Sequence, residues 1–206
     1  MEVNYLGSVH TAQASLRAWL PDFPERLCLT RSQEPRHLIF TTSIVALVTI
    51  PGYAQYSPSK AAVKSLADTL ALEVLLYESK YTPIKVHTCF PATIYSAAFE
   101  AEQRIKSDFT KKLEEADKGQ TPEEAARRCI AGLERGDQYV TTAFLTKLVK
   151  ASSLGASLRS GWGIVDTLLS FVASLAMPFV RRSYESEIRS WGKEHGTTGA
   201  RKSHIN

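Results

Sequence analysis

Two short runs rich in apolar and β-branched residues, HLIFTTSIVALV at 37–48 and IKVHTCF at 84–90, are joined by a long stretch with helical periodicity. No other feature constrains the fold of this chain as tightly. A run apolar at nearly every position suits a strand buried on both faces, and a helix linking two such strands makes them parallel. Along the intervening stretch Val63, Leu66, Leu70 and Val74 form an apolar stripe, while Lys64, Asp68 and Glu78 point elsewhere.

The rest of the chain extends the same alternation. Val3, Leu6, Val9 and Leu16 predict a helix over residues 1–19, and the proline-rich LPDFPERLCLTRSQEP reads as a connection. Residues 97–118 are charged and read as helical. Thr121-Pro122-Glu123-Glu124 is a helix start, with Thr as cap, Pro in the first turn and Glu three residues after the cap. Gly136 stands where that helix should stop, and QYVTT at 138–142 predicts a third strand. The order helix, strand, helix, strand, helix, strand implies an α/β fold with a parallel sheet over residues 1–142. Residues 143–196 differ: FLTKLVK is basic and amphipathic, and GWGIVDTLLSFVASLAMPFV at 161–180 is almost wholly apolar, followed by Arg181 and Arg182. Residues 197–206 read as a loose polar tail.

Composition narrows the function classes. The net charge of +4 is dispersed rather than gathered into a stripe, so nucleic acid is not an expected partner. Cys28, Cys89 and Cys129 share no metal-ligand spacing, and no metal site is expected; Cys89, inside an apolar run, reads as a core residue in a reducing compartment. The opening MEVNYLGSVH has an acidic second residue and no sustained apolar run, unlike a signal peptide.

One constellation carries chemistry. Tyr56 and Lys60 in YAQYSPSK are four apart, which on a helix puts both on one face. The same spacing recurs at Tyr81 and Lys85, but Pro83 spoils the helix that pair would need. Only the first pair has a serine, Ser43, at the end of a preceding strand, where open α/β sheets form their sites. A phenol has a pKa of about 10. A neighbouring ammonium favours the phenolate, so Lys60 is expected to lower that value and equip Tyr56 to exchange a proton.

With Asn4 in VNYLG, these residues follow the order Asn…Ser…Tyr-x-x-x-Lys, and the chain resembles the short-chain dehydrogenase/reductase family. PATIYS at 91–96 resembles the family's proline-glycine stretch, with Ala92 in place of glycine and Ser96 in place of threonine. The resemblance implies the C-terminal half of a Rossmann-like doubly wound parallel sheet, followed by an apolar helical appendage. It implies catalytic roles for Asn4, Ser43, Tyr56 and Lys60, and cofactor contacts from Tyr56, Lys60, Pro91, Ala92, Ile94 and Ser96. The glycine-rich phosphate loop of the family would lie upstream of Asn4, so the chain reads as a fragment of the full fold.

Within the family, MEVNYLGSV, PGYAQYSPSKAAVKSLADTLALEV, ATIYSAAFEAEQ and QTPEEAARRCIAGLERGDQYVTT are most similar to members that use NADPH to reduce the 3-keto group of a long-chain base. Such members work at the cytosolic face of the endoplasmic reticulum. This implies a long-chain keto base as substrate, a membrane surface as partner, and a homodimer through the helices of Asn4 and Tyr56. The alternatives are a reductase of a steroid, retinoid or other lipid ketone, and a non-catalytic remnant that dimerises or binds membrane. The apolar run is long enough to span one hydrocarbon core. Asp166 opposes insertion, and a buried helix over the substrate cleft is the competing expectation.

Overall fold

The computed structural model describes residues 1–20, 34–77, 82–114, 118–153 and 163–195. The proline-rich connection is mostly outside these residues, as are Cys28, Tyr81 and the tail from 197.

Three parallel strands form the sheet in the order β1-β2-β3: β1 (Arg36–Thr41), β2 (Ile84–Phe90) and β3 (Tyr139–Thr141). Leu38 pairs with Val86 and Cys89 with Val140, so β2 is the central strand. Five of its seven residues in a row, Val86 to Phe90, are buried, as a strand covered on both faces requires. The helix α1 (Gly7–Trp19) follows a wider π turn at Glu2–Leu6, and α2 (Ser57–Glu73) makes the crossover from β1 to β2. Of the predicted stripe, Val63, Leu70 and Val74 are buried with Ala67, against Leu38, Phe40, Ile84 and Val86 of the sheet and Ala12 of α1, while Leu66 is only partly buried.

The opposite face is covered by α5 (Pro122–Glu134). Its predicted start forms a full capping box: the Thr121 hydroxyl accepts from the Glu124 N–H at 3.2 Å, and the Glu124 carboxylate accepts from the Thr121 N–H at 3.3 Å. The helix ends at Gly136, whose φ of 78° lies in the left-handed region that a side chain would strain. Gly132 lies buried against Val140, close enough that only the absence of a side chain permits the approach.

Two stretches divide more finely than their composition shows. The apolar run at 37–48 is not a strand throughout. β1 stops at Thr41, and Ser43 caps a 3₁₀ turn at Ile44–Ala46 by accepting from the Val45 N–H. The rest of the run packs as a turn, with Ala46 and Leu47 against Phe90 and Tyr139. Residues 97–118 are not one helix either. The chain becomes extended at Lys106 (ψ 140°), giving α3 (Ala97–Ile105) and α4 (Asp108–Glu114).

After β3 come α6 (Phe144–Ser152) and α7 (Ile164–His195), the apolar helical appendage of the fold. Along most of its length α7 is exposed. Only 6% of its most apolar window is buried, and Leu168, Phe171, Val172, Leu175 and Phe179 are all exposed. Asp166, near its start, is itself buried beside Lys150 of α6 at 3.7 Å. The charge that opposed membrane insertion is thus held against the folded body rather than presented along the apolar stretch.

Candidate active site

The carboxyl ends of β1 and β2 set the position of the site. Directly after β1, Thr42 is buried and its hydroxyl donates to the Lys60 carbonyl at 2.9 Å, tying the strand end to the first turn of α2. Ser43 follows at the mouth. Tyr56 immediately precedes α2, and Lys60, one turn on, places its Nζ 5.4 Å from the centre of the Tyr56 ring. The same Nζ donates to the Thr41 carbonyl at 3.4 Å. Asn4 sits in the π turn, a helix irregularity that recurs at functional sites. Its amide donates to the Ser59 hydroxyl at 3.4 Å, and Ser59 donates to the Tyr56 carbonyl at 2.7 Å. Sequence spacing thus brought together four residues that the fold also gathers.

Electrostatics differ from the expectation. The Tyr56 hydroxyl is held above its ordinary value, first by burial and then by the charge of Glu102; a hydrogen bond with Ser43 acts in the opposite direction. Lys60 is pushed below the usual ammonium range by burial. The ammonium lies over the ring and donates to the Thr41 carbonyl. Burial and the Glu102 charge thus make the phenol a weaker acid in this state, and the Ser43 hydrogen bond works against them.

The segment at 91–96 is anchored to β3. The Ala92 N–H donates to the Thr142 hydroxyl at 3.0 Å, and Gln120 donates to the same oxygen at 2.5 Å. Arg128 holds both the Gln120 side-chain oxygen (3.1 Å) and the Thr142 carbonyl (2.9 Å). Ile94 forms a parallel bridge with Gln120. Ser96 caps α3 by accepting from the Phe99 N–H at 3.2 Å, which leaves its O–H proton to donate. Pro91 starts this segment directly after β2.

Sequence reasoning missed a second cluster beside Tyr56. Tyr53 lies 5.9 Å from Tyr56, ring centre to ring centre, and donates its hydroxyl to Glu114. Lys106 donates to the Tyr53 oxygen at 2.7 Å and pairs with Glu114 at 2.7 Å and Glu102 at 3.0 Å. Glu102 and Lys106 are four apart, a spacing visible in the sequence; nothing there pointed to Glu114. A cavity of about 570 Å³ bounded by Arg128, Asp137, Lys147, Lys150 and Asp166 lies under α6 and α7, and none of Ser43, Tyr56 and Lys60 lines it.

The short chain dehydrogenase profile matches residues 1–106, just over half the chain and the part that holds all four motif residues. The chain belongs to the short-chain dehydrogenase family. It is 42% identical over 196 residues to the 3-ketodihydrosphingosine reductase gsl-3 of Neurospora crassa, covering 95% of this chain and 52% of that protein. It is likewise 42% identical to the 3-ketodihydrosphingosine reductase ksrA of Aspergillus fumigatus, covering 95% of this chain and 55% of that one. The chain therefore spans about half the length of the curated relatives it matches. Among solved structures, a short chain dehydrogenase of Burkholderia cenocepacia J2315 in complex with NADP aligns at a TM-score of 0.48 and 19% identity, over 76% of this chain and 55% of its own.

Proposed function

We propose that the protein carrying this chain reduces the 3-keto group of a long-chain base, 3-ketodihydrosphingosine, using NADPH. One observation carries the reading: the residues gathered at the mouth of β1 lie in a stretch 42% identical to two fungal proteins named for that reaction. Reduction of the carbonyl develops negative charge on its oxygen. Tyr56 donates the proton to that oxygen as general acid, and Ser43 donates a hydrogen bond to it. Asn4 anchors the water through which Tyr56 regains its proton, by way of Lys60.

The residues present fit the nicotinamide end of the cofactor. Support comes from the Lys60 ammonium, which donates to the Thr41 carbonyl at the end of β1, and from the segment of Pro91, Ala92, Ile94 and Ser96, which follows the end of β2. That is where an open α/β sheet binds a dinucleotide. When bound, the cofactor supplies the hydride; this chain's residues orient it and handle the proton.

In this reading α7 attaches the protein to the cytosolic face of the endoplasmic reticulum membrane. It is supported by a 24-residue stretch of mean hydropathy 1.5 whose apolar side chains stay exposed. A homodimer through α1 and α2 accords with exposed Val3 and Leu6 in the turn before α1, Leu72 at the end of α2 and Leu75 just beyond it. The test is turnover: NADPH oxidation with a long-chain 3-keto base, measured beside a steroid ketone and retinal. Preference for the keto base supports the assignment, and preference for another lipid carbonyl overturns it.

A further inference from the structure

We propose that Glu102 binds the ammonium group of the substrate, fixing the carbonyl against Tyr56. The inference rests on the functional reading above, because it takes the substrate to be a 2-amino-3-ketone.

The cluster beside Tyr56 carries one cation and two carboxylates, Lys106 with Glu102 and Glu114, so its formal charge is negative. Its members are not equivalent. Lys106 is nearly buried, its side chain 6% exposed, and its three N–H donors are matched by Tyr53, Glu114 and Glu102. Glu114, 15% exposed, accepts from Lys106 with both oxygens and from the Tyr53 hydroxyl, with Gln103 at 3.5 Å. These groups bind α3 and α4 to the turn that carries Tyr53 and Tyr56. Glu102 differs: it meets Lys106 and the Tyr53 hydroxyl and still leaves 43% of its side chain exposed. A carboxylate has room for about four hydrogen bonds. Glu102 is thus a half-open anion held by a rigid base, and its charge reaches the Tyr56 hydroxyl.

The chemistry of a long-chain keto base matches this placement. Its amine sits on the carbon next to the carbonyl, so a carbonyl oxygen at Tyr56 brings the ammonium to the neighbouring surface. The exposed carboxylate accepts that ammonium without losing much hydration. Binding also cancels the charge that hinders ionisation of Tyr56, so an amine-bearing ketone makes its own acid stronger.

The experiment uses the full-length protein in detergent. Equilibrium binding is compared for a long-chain 2-amino-1,3-diol and the same diol without its amine, in wild type, Glu102→Gln and Glu102→Asp. Wild type should favour the amine by roughly ten- to hundredfold, the worth of one charge-assisted hydrogen bond. Glu102→Gln should lose that preference, and Glu102→Asp should recover part of it, while the diol lacking the amine binds all three alike. An unchanged preference in Glu102→Gln, or equal weakening of both ligands, overturns the inference. Reduction of the corresponding 3-ketone is assayed in parallel. Absence of turnover with an intact, Glu102-dependent amine preference would count against the proposed reaction and for the amine site.

Discussion

Substituting Gly132 by alanine should destabilise the domain, although alanine is the better helix former. A Cβ at this position would stand 2.4 Å from Cγ1 of Val140, 3.1 Å from its Cγ2 and 3.2 Å from its Cβ. Favourable carbon contacts begin at about 3.5 Å. Val140 is fully buried in β3 and β-branched, so it has little freedom to turn away. The strain therefore falls on the packing of α5 against the sheet. Overpacking of a filled core costs about 1 to 3 kcal/mol, and so short a contact with so stiff a partner belongs at the upper end. Replacing glycine inside a helix returns about 1 kcal/mol. The net expectation is about 1 to 2 kcal/mol of lost stability, or a fall in Tm of roughly 2 to 8 °C. Urea and thermal unfolding measure it. Val140→Ala makes room for the new methyl, so the double variant should be more stable than the sum of the singles by about 1 kcal/mol. Strict additivity, or a Gly132→Ala protein as stable as wild type, would refute the packing argument. The contact bears on the site as well. α5 carries Arg128, which holds Thr142, which in turn holds the Ala92 N–H.

Two further outcomes are expected. A hydrogen bond from Cys89 holds the Cys129 thiol down to about 7, while that bond and burial push Cys89 well up. The thiolate is the reactive form, so iodoacetamide labelling of Cys129 should rise with a midpoint near pH 7 while Cys89 stays unmodified. Cys89→Ala should return the midpoint to the ordinary thiol range, and an unchanged midpoint would contradict the pairing. For the membrane, the intact chain should stay in the pellet after alkaline carbonate washing, and a version ending at Thr142 should be released. Release of both would remove α7 as an anchor.

Much of the fold was legible because periodicity reports burial directly. β2 falls on IKVHTCF and the α5 start on Thr121, since a two-sided strand and a capping box are local signals. What was not legible depends on partners distant in sequence. The run at 37–48 has strand composition to its end, yet Ser43 turns it, and its last residues pack on Phe90 and Tyr139. The break at Lys106 likewise arises from ion pairs to Glu114 and contact with Tyr53, in a segment whose composition is helical throughout. The proposed site residues Asn4, Ser43, Tyr56 and Lys60 were picked out by order and spacing. The sign of the effect on Tyr56 was not, because it depends on burial and on Glu102, which spacing alone does not connect to the phenol.

In the proposed reaction Tyr56 supplies the proton for reduction of a long-chain 3-keto base. The most direct measurement is single-turnover NADPH oxidation with that substrate by the full-length protein and its Tyr56→Phe variant, alongside NADPH binding to each. The variant should bind the cofactor nearly as well and reduce the ketone about 10²- to 10⁴-fold more slowly, the usual contribution of a general acid. A near-normal rate in Tyr56→Phe would contradict it.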